Sequence, residues 1–140
     1  MIRIYTDTDY EKLKALYLHT EWYGGQFDEA RDGRTRLAEK IMQDPEAIWL
    51  YEQGGEVAGT VSLVDDGRVA MLFRLVVKNN DQAVTQELYN HATNLLRKRG
   101  HEQILVYTPT GDQALHQRYE QLGMTRGGDY TCYWAQLHSL

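Results

Sequence analysis

The chain has 140 residues, 42% of them hydrophobic and 25% charged, which is the size and composition of one globular domain and excludes collagen, coiled-coil and disordered classes. Fifteen basic against twenty acidic residues leave a net charge of −5, which argues against nucleic acid or an anionic membrane as a partner. The single cysteine, Cys132, rules out an internal disulfide and a cysteine-rich zinc site.

In chain order, IRIYT at 2–6 reads as a strand, and Asp7 or Thr8 can cap a helix whose apolar residues Tyr10, Leu13, Leu16 and Tyr17 recur at helical spacing. Leu37, Ala38 and Ile41 mark a second amphipathic helix that must stop before Pro45. Three strands follow: IWLYEQ at 48–53, EVAGTVSLV at 56–64 and RVAMLFRLVV at 68–77. Gly54-Gly55 and Asp65-Asp66-Gly67 separate them as hairpin turns, which predicts an antiparallel meander. Val84, Leu88, His91, Ala92, Leu95 and Leu96 outline a helix that Asp81 can cap and Gly100 can stop. ILVYT at 104–108 has the pattern of a buried strand, and the strand, helix and strand together predict a crossover that lays it beside the strand ending at Val77. A shorter helix begins at Asp112, carries Leu115, Tyr119 and Leu122 on one face and closes at Gly123; DYTCYWAQL at 129–137 completes the pattern as a strand, with Cys132 expected to be buried and inert. The predicted order βααβββαβαβ describes one α/β (α+β) domain over 1–140, a mixed central sheet flanked by helices. No basic segment leads into an apolar one at the amino terminus and no apolar run approaches the ~20 residues that span a bilayer, so the expected location is the cytoplasm.

Two stretches in this order carry a resemblance. ALHQRYEQLGM at 114–124 is similar to the ending of the GNAT superfamily of N-acetyltransferases, in which a helix bears a tyrosine just before Glu-x-Leu-Gly-Phe; Met124 stands here for the Phe. RLVV at 74–77, LYNHATNLLRKRG at 88–100 and QILVYT at 103–108 resemble the family's cofactor strand, crossover helix and next strand. The resemblance spans essentially the whole chain and implies attack of an amine on the thioester carbonyl of acetyl-CoA. Such a reaction needs a neutral amine, a donor for the developing oxyanion and a proton for the departing thiolate. On the family's pattern, Leu75 and Val77 present backbone N–H groups at a splayed or bulged strand end. The turn that meets the pyrophosphate falls on Lys78, Asn79, Asn80, Gln82, Ala83 and Val84. Tyr119 matches the acid near the sulfur, and a phenol with an ordinary pKa of about 10 keeps its proton at neutral pH. Packing against Leu115 and Leu122 accounts for Tyr119 equally well.

The chain departs from the family where the family's motif is strictest. A [Gln/Arg]-x-x-Gly-x-[Gly/Ala] turn uses glycines so that backbone N–H groups can close on a pyrophosphate at a helix N-terminus. The corresponding VVKNNDQAVTQEL has neither glycine nor arginine. As an N-cap, Asp81 would occupy those N–H groups and add a negative charge, whereas Lys78 can pair with phosphate and Asn79 and Asn80 tolerate left-handed backbone. The place of the family's base, VAMLFR, holds Met71 and no carboxylate. Base candidates come instead from HTEWYGGQF, in which Glu21 and His19 stand with Trp22, Tyr23 and Phe27 as walls of an amine pocket; Glu21 could also pair with a cationic amine, and the aromatic residues also read as plain cover for a core.

The five histidines are scattered over different elements without His-x-His or HExxH spacing, so no metal is assigned. Arg97, Lys98 and Arg99 are expected to complement the dipole at their helix's C-terminus. Two functions are compatible with these residues: an N-acetyltransferase using acetyl-CoA on the amine of a small molecule or peptide, or a catalytically impaired GNAT-fold module for ligand or protein binding. A homodimer through CYWAQL at 132–137 is a further expectation.

Overall fold

The structure is a computed structural model that describes residues 1–20 and 27–137. Two compact units divide the chain, Met1–Tyr107 and Thr108–Leu140.

The first unit opens on strand β1 (Ile2–Ile4) and a 3-10 turn at Asp7–Asp9 that runs into helix α1 (Tyr10–Leu18). The cap sits slightly earlier than the sequence suggests. Thr6 precedes the turn, and Asp9 reaches back to accept from the Thr6 N–H at 2.9 Å and the Thr6 hydroxyl at 3.1 Å. Tyr10, Leu13, Leu16 and Tyr17 are all buried, in keeping with their spacing. A single-turn helix α2 (Glu29–Asp32), too short for periodicity to reveal, precedes α3 (Arg34–Gln43), which buries Leu37 and ends where Asp44 becomes extended before Pro45. Strands β2 (Ile48–Gln53), β3 (Glu56–Asp65) and β4 (Ala70–Val77) form the expected meander, in the order β1-β2-β3-β4 with every pairing antiparallel. Gln53 faces Glu56 across Gly54 and Gly55, both at positive φ, the two-residue turn whose twist matches a hairpin.

Helix α4 (Gln82–Lys98) buries the stripe Val84, Leu88, Ala92 and Leu96 against Val61, Leu63, Ala70, Leu72 and Val77 on one face of the sheet. Helices α1 and α3 cover the other face around Ile48, Leu50 and Val76. The approach of α4 is closest at Gly59, where a Cβ would lie 2.9 Å from Leu88 Cδ1 and 3.1 Å from Val84 Cγ1, so any side chain there would lift the helix. At the far end of α4, Arg99 does more than complement a dipole. Its guanidinium binds Asp44 at 2.9 and 3.0 Å and Asp65 at 3.1 Å, and His101 Nε2 meets Asp65 at 2.7 Å, which ties α4 to the end of β3 and the turn before β2.

Residues 104–108 take their predicted place beside β4 but not their predicted length. Met71 and Leu105 form a single parallel bridge, in which the Leu72 N–H donates to Leu105 O at 3.1 Å and the Leu105 N–H to Ala70 O at 3.0 Å.

In the second unit, α5 (Gln113–Gln121) starts as foreseen at Asp112, whose Oδ1 accepts from the Leu115 N–H at 3.1 Å. Residues 124–137 carry no regular secondary structure, where alternation predicts a strand. Alternation becomes a strand only when a neighbouring edge takes the N–H and C=O groups. Cys132, expected to be buried within that strand, is exposed for the same reason. Among the described residues, no helix is long and apolar enough to cross a membrane.

Asp9 offers a test of how the first unit is held at its amino end. It is 6% exposed and accepts from Arg3 Nη1 and Nη2, both at 2.8 Å; these bonds, with help from Thr6, pull its carboxyl down to about 2. A folded pKa below the unfolded value of about 3.9 stabilises the fold above that pH and ceases to do so as the pH falls toward 2. Asp9→Asn is expected to lower the unfolding free energy by about 2 kcal/mol at pH 7, with the gap from wild type closing between about pH 4 and 2 in urea titrations.

Candidate functional site

The alternation of β4 breaks at Arg74. Ser62 faces Phe73 and Thr60 faces Val76, so Val61 alone lies opposite both Arg74 and Leu75, a β-bulge in which Arg74 takes φ +56°. Strict alternation would place Arg74 beside Ala70 and Leu72 in the apolar core under α4. The extra residue turns it to the α1 and α3 face instead, and returns Leu75 and Val77 to the α4 side. There the guanidinium forms two bonds with Asp32 of α2, Nε to Oδ1 at 3.1 Å and Nη2 to Oδ2 at 2.6 Å, with the two side chains only 4% and 2% exposed. Arg74 Cζ also lies 5.0 Å from the Phe73 ring centroid and 5.5 Å from that of Tyr17. The Tyr17 hydroxyl is hydrogen-bonded to Ser62 and is held above its usual pKa by burial. Asp32 Oδ2 accepts in addition from the Asp28 N–H at 2.9 Å. A left-handed residue other than glycine costs about 1–3 kcal/mol. Leaving the buried guanidinium without Asp32 would cost about 3–5 kcal/mol, so the left-handed turn that brings the two together costs less than leaving the charge unpaired.

Two openings flank the bulge. On the outer edge of β4, parallel pairing stops at Leu72, and among the described residues no backbone hydrogen bond joins 106–107 to β4 beyond it. Among the described residues of the first unit, the edge from Arg74 to Val77 has no strand partner. On the α1 and α3 face, Phe73 and Arg74 floor a cavity of about 350 Å³ walled by α2, α3, β2 and β3. That volume suits a small molecule.

The residues expected from the sequence fall at several places. Leu75 and Val77 lie on β4 just past the bulge. Lys78, Asn79 and Asn80 form an exposed 3-10 turn in which Asn79 (φ +57°) and Asn80 (φ +54°) adopt left-handed backbone. Gln82 and Ala83 are exposed in the first turn of α4, and Val84 is buried over Gly59. Asp81 caps α4 as its position suggested: Oδ1 accepts from the Ala83 N–H at 3.0 Å and the Val84 N–H at 3.2 Å, so two groups that a phosphate would meet are already engaged. His19 is exposed at the end of α1. Phe27 is half-buried against the α1 and α3 core, with Lys14 Nζ 4.9 Å from its ring centroid. Glu21, Trp22 and Tyr23 lie outside the described residues. In the second unit, Tyr119 is half-buried on α5, and burial pushes its hydroxyl up to about 12, so it keeps its proton at neutral pH.

Arg74, Asp32 and Tyr17 escape sequence reasoning as a site. One signal was available: an arginine at an apolar phase of AMLFRLVV breaks the alternation and marks a bulge. Its partner lies 42 residues away and has no local signature.

A family model described as "Acetyltransferase (GNAT) family" matches residues 10–124. Solved structures share the fold. An N-acetyltransferase from Staphylococcus aureus Mu50 superposes with a TM-score of 0.74 at 14% identity, over 91% of this chain and 84% of that one. A transcriptional regulator from Bacillus halodurans C-125 gives 0.74 at 16% identity over 96% and 99%. The PaiA N-acetyltransferase from Thermoplasma acidophilum, in complex with coenzyme A, gives 0.72 at 17% identity over 86% of each chain. At these identities the likeness is one of fold. No curated protein matches the sequence.

The ion pair beneath the bulge should behave as a coupled unit. Asp32→Ala and Arg74→Ala are each expected to cost about 3–5 kcal/mol in urea unfolding, and the double variant little more than either alone. Additive losses would show that the two side chains act independently.

Proposed function

Because the chain belongs to the acetyltransferase (GNAT) family, we propose that it transfers the acetyl group of acetyl-CoA to the amine of a small molecule or peptide. The observation that carries this reading is the bulge at Arg74 followed by the unpartnered edge of β4. Backbone N–H groups past a bulge can donate to a developing oxyanion without calling on any side chain. Acetyl-CoA supplies the acetyl group already activated as a thioester. Leu75 and Val77 receive its carbonyl and pantetheine arm through their backbone. Lys78, with the backbone of Asn79 and Asn80, takes the diphosphate; the first turn of α4, Gln82 to Val84, lines that end while Asp81 keeps its cap. Tyr119, which holds its proton at neutral pH, donates to the departing thiolate. Glu21 takes the proton of the amine, and His19, Trp22, Tyr23 and Phe27 wall the amine. The cytoplasm is the setting that suits this chemistry.

A second reading, a GNAT-fold module that binds a ligand or protein without acetyl transfer, draws support from Asp81, whose carboxylate holds the N–H groups of Ala83 and Val84 and sets a negative charge at the phosphate end.

Isothermal titration with acetyl-CoA separates the two. Micromolar binding is expected for the transferase, and millimolar or absent binding would leave the module. In the transferase, Tyr119→Phe should lower kcat by at least about tenfold with little change in acetyl-CoA affinity, and an unchanged rate would remove the acid role.

A further inference from the structure

We propose that the cavity beside the bulge holds its ligand through a compact anionic group, a carboxylate or phosphate, so that the acceptor is an anionic amine. The word acceptor rests on the transferase reading; the anion site does not. The charged residues around this cavity are Arg31, Arg36, Lys40 and Arg74 against Asp32 and Glu39. An excess of positive charge at one cavity, in a chain whose net charge is −5, is a local reversal of sign. Asp32 is engaged with Arg74 at the floor, so among the lining residues Glu39 faces three cations, while Asp28 lies 3.6 Å from Arg31 and Asp44 interacts with Lys40 from outside the lining.

The placement of those cations also points to a ligand. Arg36 and Lys40 stand one turn apart on α3, where the like charges repel each other, although Lys40 in the last turn also complements the helix dipole. Arg36 has its Nε tethered to Ala30 O at 3.1 Å, which leaves the two terminal nitrogens of the fork without a partner among the described residues. A planar fork of this kind suits a carboxylate or phosphate. Lys40 Nζ makes no hydrogen bond or ion pair among the described residues, and Arg31 has only Asp28 at 3.6 Å. Behind this rim lie the apolar side chains of Leu37 and Ile48, which lower the local dielectric and strengthen each contact to an anion. Arg74 belongs both to the cavity and to the bulge and Phe73 lines the cavity just before it, so a molecule anchored at the α3 rim lies beside the part of β4 where the acyl group is proposed to sit.

The test compares three probes that carry the same primary amine: O-phosphoethanolamine and β-alanine, which are anionic at one end, and ethanolamine, which is not. Calorimetric titration of the whole chain without acetyl-CoA should show the two anionic probes binding at least about tenfold more tightly than ethanolamine. Arg36→Gln combined with Lys40→Gln should weaken the anionic probes by about tenfold or more, whereas Arg97→Gln combined with Lys98→Gln, the same loss of two charges on α4, should not. In a thiol-release assay with acetyl-CoA, the double variant should raise KM for O-phosphoethanolamine more than it lowers kcat. Equal affinity for the three probes, no binding of any of them, or indifference to the double variant overturns the proposal, even if acetyl transfer is observed. Anion binding that the double variant abolishes, in a protein that acetylates none of the amines, keeps the anion site and overturns the transferase reading.

Discussion

The bidentate contact between Arg74 and Asp32 is the constraint on which the rest of the site depends. An arginine in the middle of β4 is costly in the apolar core, and here one inserted residue, with Arg74 turned left-handed, takes it out while β4 stays paired with β3. Asp32 makes that solution stable by meeting the guanidinium on the other face, away from water. The same contact holds α2, a single turn that would not persist on its own, because Asp32 joins the Asp28 N–H to Arg74. A helix, a bulge and a cavity floor thus share one pair of charges.

The bulge also explains why the acyl end of the site carries so few chemical side chains. Regular parallel pairing would cover the outer edge of β4, but pairing ends at Leu72, two residues before Arg74. What remains there is backbone, which any sequence can supply. Around this edge the charges are sorted by place rather than by number. Asp44 and Asp65 share Arg99 at the far end of α4, with His101 hydrogen-bonded to Asp65. Asp81 closes the near end. The surplus of positive charge collects at the α3 rim of the cavity. A net charge of −5 describes none of these places.

Much of the scaffold was legible from near neighbours in the chain. The stripe of α1, the Asp81 cap, the Gly54-Gly55 hairpin and the Asp112 start of α5 each depend on contacts within a few residues, so the pattern and the outcome agree. Residues 104–108 and 129–137 show the limit of such patterns. Both read as strands in the sequence, yet the first pairs through one bridge and the second has no regular structure, because a strand is completed by a neighbour that its own residues do not encode. The turn at Lys78 to Asn80 lies between these cases: its asparagines allow the left-handed backbone they adopt, and Asp81 foretold the occupied helix end.

By itself the sequence determined the order of the elements, the capping of the helices and the absence of a glycine-rich phosphate turn, since each is set by residue types and short spacings. Tertiary structure alone decided that Arg74 leaves the core, that Asp32 receives it, that β4 has an open edge and that the cations of α2 and α3 surround one cavity. Those features arise from contacts across tens of residues, where the energy of burying a charge selects the partner and no local pattern announces it.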